Sequence, residues 1–248
     1  MEAIILAGGL GTRLASRLGG VPKAMAPVAG RPFLEILLDQ LDRAGCARVT
    51  LSVGHLHTVI QDHFAARYRG MSLDYAVESS PLGTGGAIRA ALQKAAEPSV
   101  LVLNGDTFLQ ADYADMMRFH RAHACSLTLA VTHRDDLSRY GRVLVSGDLI
   151  TGFGEKDRAG PGFINAGAYI MEKNLVWPKA LPEQFSFERE FLEPEVALIA
   201  PAAYPVKGVF LDIGIPEDLD RAQTELASFM PRSGVFPTEL SRTDRSGK

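Results

Sequence analysis

The chain has 248 residues, 46% of them hydrophobic, enough for a substantial core in one large domain or two small ones. A formal net charge of −3 gives no general electrostatic reason to bind nucleic acid or an anionic membrane, so neither is expected as a partner and any anion must be gripped by a local site. Two cysteines, Cys46 and Cys125, make no metal-type pair and fit a reducing compartment; with no signal-peptide core and no apolar stretch near bilayer length, the expected location is cytoplasmic.

Short apolar runs alternate with helical patterns through the first half, which predicts an α/β fold with a mostly parallel sheet flanked by helices. Ala3 to Ala7 reads as the first strand and runs straight into Gly8, Gly9 and Gly11. Pro32 suits the first position of a helix whose Phe33, Leu34, Leu37, Leu38 and Leu41 share a face until Gly45 ends it. Val49 to Val53 reads as a strand, Leu56, Val59, Ile60 and Phe64 as a helix stripe, and Leu73 to Val77 as the next strand. Ile88, Ala91, Leu92 and Ala95 mark a third helix, and SVLVLNGD a fourth strand. Tyr113, Met116 and Met117 then mark a helix and Ser126 to Val131 a strand.

From Arg142 to Met171 strand-like runs follow one another with little room for helices, a pattern that predicts a small mixed or antiparallel insertion on the sheet. VFLDIG returns to a buried-strand pattern, and Pro216 opens a closing helix with Leu219, Ala222, Leu226 and Phe229 on one face. Residues 1–230 read as a single domain and 231–248 as a polar tail, disordered or docked on a neighbour. Whether the chain acts alone or as a homo-oligomer is left open by these residues.

The glycines after the first strand admit backbone N–H groups close to an anion, which makes the loop a phosphate cradle or, equally on glycines alone, a plain strand-to-helix turn. It fits neither the Walker pattern nor the dinucleotide fingerprint, because Leu14 stands where the latter needs a third glycine. Arg13 and Lys23 favour the cradle, since a guanidinium forks onto phosphate oxygens and an ammonium acts as a point charge. Arg17 reads as solvated.

Asp106 and Asp212 each follow an apolar run directly and so sit at the rim where open α/β sheets bind ligands. Two hard oxygen ligands near a phosphate loop suit Mg²⁺, which takes one or two carboxylates together with substrate phosphates. Asp112 and Asp218 read instead as helix caps. SSPLGTGGAI reads by itself as a helix start capped by Thr84. Glu155 and Lys156 stand together at a strand end, and Asn165 and Gly167 lie in the next run; a carboxylate, an amide and an ammonium suit a polyhydroxylated phosphate ester. The histidines, including His120 and His123 near Cys125, match no zinc spacing and read as surface or packing residues.

Taken in order and spacing, LAGGLGTRL, PKAMAPVAGRPFLE, PLGTGGAI, NGDT, GFGEK, INAGAYI, SFERE and DIGIPEDL resemble the sugar-1-phosphate nucleotidyltransferase family from about Ala3 to Leu219. Within it the guanylyltransferases that act on a manno-heptose 1-phosphate for surface polysaccharide such as capsule are the most similar group. The resemblance implies a Rossmann-like fold of the nucleotide-diphospho-sugar transferase type, GTP and a sugar 1-phosphate as substrates, and Mg²⁺ as cofactor. It places Leu6, Ala7, Gly8, Gly9 and Gly11 around the nucleotide, with Leu82, Gly83 and Thr84 at its base. Arg13 falls against the β and γ phosphates and Lys23 against the α-phosphate; Asp106 and Asp212 match the metal ligands. Gly141, Glu155, Lys156 and Asn165 match the sugar-phosphate side. A uridylyl- or thymidylyltransferase of a hexose or amino-sugar phosphate is the alternative within the class. A non-catalytic nucleotide-sugar sensor is the alternative outside it, disfavoured because Arg13, Lys23, Asp106 and Asp212 are all retained.

Overall fold

A computed structural model describes residues 1–9, 11–154 and 160–229; the tail 231–248 lies outside the described residues. The first half runs β1 (Glu2–Leu6), α1 (Ala15–Leu18), β2 (Pro27–Val28), β3 (Arg31–Pro32), α2 (Phe33–Arg43), β4 (Arg48–Val53), α3 (His57–Phe64), β5 (Arg67–Tyr68), β6 (Met71–Val77), α4 (Gly83–Leu92) and β7 (Ser99–Asn104). It continues with β8 (Thr107–Leu109), α5 (Tyr113–His123), β9 (Leu127–Arg134), β10 (Arg142–Ser146), β11 (Leu149–Gly154) and β12 (Gly162–Glu172). The last part holds α6 (Glu193–Ile199), β13 (Ala202–Val206), β14 (Phe210–Asp212) and α7 (Pro216–Glu225).

Among the described residues ten strands form one sheet in the order β10-β11-β13-β9-β12-β7-β1-β4-β6-β5. β7, β1, β4 and β6 are parallel neighbours, as the alternating pattern requires. β12 lies antiparallel between β7 and β9, and β10 and β11 form a hairpin beyond, so the strands expected as an insertion extend the same sheet, which is mixed overall.

Successive strand residues face opposite sides of the sheet and feed two cores. Ala3 and Ile5 of β1 with Leu101 and Leu103 of β7 join one core with α2, α5 and α7; Ile4, Val100 and Val102 join the other with α4 and Phe185, Phe187 and Phe191. The stripe on α2, from Phe33 to Leu41, is fully buried, each such side chain contributing roughly 1.5–3 kcal/mol. Gly45, at φ +74°, ends that helix in the left-handed conformation.

Several readings of the sequence need correction: Leu56 precedes α3, and Leu226 and Phe229 lie beyond α7. Pro32 is the residue before α2 and not its first, because it pairs with Pro27 in the β2–β3 hairpin. Ala95 lies beyond α4, which ends at Leu92. VFLDIG is buried, yet β14 does not join the main sheet: it pairs antiparallel with β8 alone, Asp212 opposite Thr107. The segment from Phe187 through α6 to β13 had no assignment from pattern. Its opening is a π-helical turn, Phe187–Leu192, that buries Phe187, Phe191 and Leu192 against the second core, and this irregular period hides its apolar face. Among the described residues no helix is long and apolar enough to cross a membrane.

Candidate active site

β1 and β7 are parallel neighbours, so their C-terminal ends come out side by side and the loops after them meet. Gly105 donates its N–H to Leu6 O at 3.0 Å, and Ala7 donates to Ser52 O at 2.7 Å, which pins the start of the glycine loop to β7 and β4. Gly8 then passes against Glu78 so closely that a Cβ would lie 2.7 Å from Glu78 Oε1. A larger residue there would push the Glu78 carboxylate out of its present position.

The β7–β8 turn carries Asp106. Ile213, one residue past β14, donates its N–H to Asp106 O at 2.9 Å, and with the β14–β8 register this brings Asp212 beside Asp106. Lys23 Nζ lies 2.6 Å from Asp106 Oδ2 in a half-buried ion pair. Gly11 packs on the stem of Lys23, and Lys23 thereby comes under the glycine loop.

Three cavities adjoin here, of about 540, 260 and 30 Å³, and Asp106 lines all three. The largest is lined by Arg13, Asp106, Asp212, Gly141 and Asn165 among the residues singled out from sequence. The 260 Å³ cavity is lined by Leu6, Gly8, Gly9, Gly83 and Thr84, and the smallest by Ala7 and Lys23. Leu82 and Gly11 do not line any of the three. Glu155 and Lys156 lie outside the described residues; Gly154, next to them, lines the largest cavity.

Asp212 is the electrostatically stressed group. Burial first, and the nearby negative Asp106 second, push its carboxyl up to about 6, with Lys23 opposing. Its Oδ1 is buried and has no hydrogen-bond partner among the described residues. A buried carboxylate oxygen without a donor, beside a second carboxylate, suits a hard divalent cation. Two carboxylates with cavity space for phosphate fit Mg²⁺ better than a metal needing a complete protein cage, and among the described residues no group of three acidic, histidine or cysteine side chains could hold one.

The raised pKa has a consequence for stability with a definite sign. The folded chain holds the Asp212 proton to about 6 against 3.8 for the free group, so folding binds extra protons in that window and stability falls as pH rises through it. The cost above pH 6 is on the order of 3 kcal/mol at most. In EDTA, Asp212→Asn is expected to melt above the wild type at pH 7 and level with it near pH 4; equal melting temperatures at pH 7 would refute the assignment.

The second glycine cluster is explained mainly by packing. Gly83 has φ +67°, and a Cβ there would lie 2.5 Å from Phe185 O. Phe185 O accepts from Gly85 N–H at 2.9 Å and Phe185 N–H donates to Leu82 O at 3.0 Å. The expected cap is absent, because Thr84 sits inside α4 and its hydroxyl accepts from Phe187 N–H at 2.9 Å. Gly83→Ala should therefore cost about 2 kcal/mol, read as a lower urea midpoint. An unchanged midpoint would contradict this close approach.

Asn165 is held by its neighbours at a bulge in β12: its Oδ1 accepts from Gly167 N–H at 3.0 Å, and its Nδ2 donates to Tyr169 Oη at 2.8 Å and to Glu188 Oε1 at 2.6 Å. Asp112 caps α5, its Oδ1 accepting from Asp115 N–H at 2.8 Å. Asp218 does not cap α7. It is buried and paired with Arg139 at 2.6 Å and Arg221 at 2.9 Å, and so fixes Arg139 on the wall of the 540 Å³ cavity.

Residues missed from sequence include Glu78, Arg139 and Arg189, all lining the cavities. Glu78 directly follows β6, whose run MSLDYAV is interrupted by Ser72 and Asp74 and ends on the exposed Val77, so no buried apolar run marked it out. It accepts from Ser52 Oγ at 3.1 Å and from Leu82 N–H at 3.0 Å, which orients its carboxylate at the wall of the 260 Å³ cavity. Arg139 reaches the site from a loop anchored on Asp218 and had no local signal, whereas Arg189 stands on the π-helical turn Phe187–Leu192, inside the SFERE run quoted above, and was not singled out within it.

A glycine loop at the end of a parallel strand, flanked by cations and facing two carboxylates across a divided cavity, defines a nucleotide-handling transferase. The chain belongs to the nucleotidyl transferase family, whose model matches residues 2–228. It is 41% identical over 230 residues to D-glycero-alpha-D-manno-heptose 1-phosphate guanylyltransferase of Aneurinibacillus thermoaerophilus, a match covering 93% of this chain and 100% of the relative. The enzyme of the same name from Campylobacter jejuni is 40% identical over 219 residues, covering 88% of this chain and 96% of the relative. Among solved structures, HddC from Yersinia pseudotuberculosis complexed with GMP-PN aligns at a TM-score of 0.79 and 36% identity, covering 90% of this chain and 97% of that one.

Proposed function

We propose that this chain transfers GMP from GTP to D-glycero-α-D-manno-heptose 1-phosphate, releasing pyrophosphate and forming a GDP-sugar for surface polysaccharide, in the cytoplasm. The observation that carries the reading is Asp106 at the junction of all three cavities, the one side chain that faces a base pocket, a phosphate loop and a sugar-sized cavity at once. The two guanylyltransferase relatives, matched over nearly their whole length, support the choice of substrates.

In this reading the 260 Å³ cavity takes the guanine. Glu78 supplies acceptors, and guanine alone among the common bases presents two adjacent donors, N1–H and N2–H, to a carboxylate. Backbone N–H groups of Gly8 to Gly11 and the Arg13 guanidinium hold the β and γ phosphates. Lys23, paired with Asp106, would meet the α-phosphate, a role its place beneath the glycine loop supports. Asp106 and Asp212 are the carboxylates that would hold Mg²⁺, whose charge would offset that of the triphosphate. The larger cavity holds the sugar 1-phosphate, with Asn165 and Gly141 on the hydroxyls and Lys156 on its phosphate. An oxygen of that phosphate attacks the α-phosphorus in line and pyrophosphate leaves, so the chain's task is positioning two anions and neutralising their charge, without a covalent intermediate.

The test is pyrophosphate release from the purified protein with Mg²⁺, each of GTP, UTP, dTTP, CTP and ATP being paired with manno-heptose, mannose and glucose 1-phosphates. Release confined to GTP with the heptose is expected. Release with another pair would overturn the substrates and keep the chemistry, whereas a nucleotide sugar that binds without any release would replace the enzyme by a sensor.

A further inference from the structure

Away from this site, at the start of β9, a thiol, an imidazole and a carboxylate stand in line. His120, on α5, is only 1% exposed. Its Nδ1 lies 3.6 Å from Cys125 Sγ and 2.8 Å from Thr128 Oγ1, and Thr128 Oγ1 is 3.3 Å from the same sulfur. On the far side of the ring, Nε2 lies 3.0 Å from Glu172 Oε1, and Ser99 Oγ donates to that oxygen at 2.5 Å. A nucleophile in reach of a base that a third group orients is the arrangement that activates cysteine for attack. Cys125 itself is half-buried, and the residue after it, Ser126, lines an open cavity of about 650 Å³ beside the exposed Val176 and Leu198.

We propose that Cys125, with His120 as its base and Glu172 as the group that orients and charges that base, is a thiol-modification site that takes small disulfides. The thiol proton passes to His120 Nδ1, leaving a thiolate beside an imidazolium whose Nε2–H donates to Glu172. The thiolate attacks one sulfur of the disulfide; a Cys125 S–S bond forms, the reagent's S–S bond breaks, and its other half leaves as a thiolate with the bonding electrons.

The electrostatics agree in both partners. Burial acts to raise the Cys125 thiol, but the hydrogen bonds from His120 and Thr128 and the imidazole's charge bring it down to about 7. Burial acts to lower His120, and Cys125 and Glu172 outweigh it, so the ring is held above its ordinary value. His123, also on α5, faces Asp148 from the β10–β11 turn at 3.2 Å, so the outer charge near the thiol is itself paired. Cys46 is the internal contrast: it is 6% exposed, its thiol is pushed up by burial, and Sγ donates to Met1 O and Arg48 O.

The experiment follows the rate of mixed-disulfide formation with Ellman's reagent from pH 6 to pH 8, with mass spectrometry of the labelled peptide. In Cys46→Ser, which keeps Cys125, the rate should rise about ten-fold across that range, where an ordinary thiol of pKa near 8.5 rises about seventy-fold. Because the readout is a ratio, access to the sulfur cancels. Cys125→Ser should leave only slow labelling, and Glu172→Gln should steepen the profile toward the ordinary thiol. A seventy-fold rise in Cys46→Ser, or labelling of Cys125 only in denaturant, would overturn the proposal; an unchanged profile in Glu172→Gln would remove Glu172 from it.

Discussion

Asp106→Asn is expected to lower kcat by about 10²-fold or more with the fold intact, because the change removes a charge from the point where the three cavities meet and keeps the side chain's shape. The carboxylate has two charged partners to lose, while the 3.3 Å hydrogen bond from Thr107 Oγ1 can be kept by an amide oxygen. One is the cation it would share with Asp212, and the other is Lys23, whose ammonium is 2.6 Å away and would be left without its counter-charge. Asparagine can accept a hydrogen bond from lysine but cannot neutralise it, nor bind Mg²⁺ as a charged ligand. Turnover measured as pyrophosphate release at saturating Mg²⁺, with the melting temperature as a control for folding, decides the matter. Near-normal turnover at saturating Mg²⁺ would refute the catalytic role given to Asp106.

Glu78→Gln should reduce kcat/KM for GTP by about 10²-fold and narrow the gap to other triphosphates. The carboxylate is held by the Ser52 hydroxyl and the Leu82 N–H, which fixes its orientation at the wall of the 260 Å³ cavity proposed for the base. An amide in the same place offers one donor where guanine needs only acceptors, and leaves a base donor unpaired in a confined space. A uniform loss across all five triphosphates would assign Glu78 to the shape of the loop, through Leu82 and Gly8, instead of to base choice.

Much of the molecule was legible in its residues. The parallel half of the sheet follows from apolar runs alternating with helix stripes, since a strand buried on both faces must be apolar throughout and a surface helix only on one side. Asp106 and Asp212 could be picked out because an acid ending a buried run has no bland explanation. That logic does not reach Glu78, because the strand before it carries Ser72 and Asp74 and ends on the exposed Val77, and it failed for Asp218, read as a cap from its place in the first turn of α7. A first-turn acid and a buried anchor for Arg139 look alike until the loop carrying Arg139 is folded over it.

What the sequence determined alone is local: the strand-glycine-cation order of the opening loop, the apolar periodicities and the kinds of side chain available for phosphate, metal and sugar. These depend on neighbours within a turn or a strand, where backbone geometry fixes which residues share a face. The tertiary structure alone decided that β14 leaves the main sheet to bring Asp212 beside Asp106, that Phe185 fills the space the second glycine cluster leaves, and that His120 meets both Cys125 and Glu172. Apart from His120 and Cys125, five positions apart across the α5–β9 turn, each joins residues dozens of positions apart, and such contacts arise from how packed elements cross, which no pattern within one element encodes.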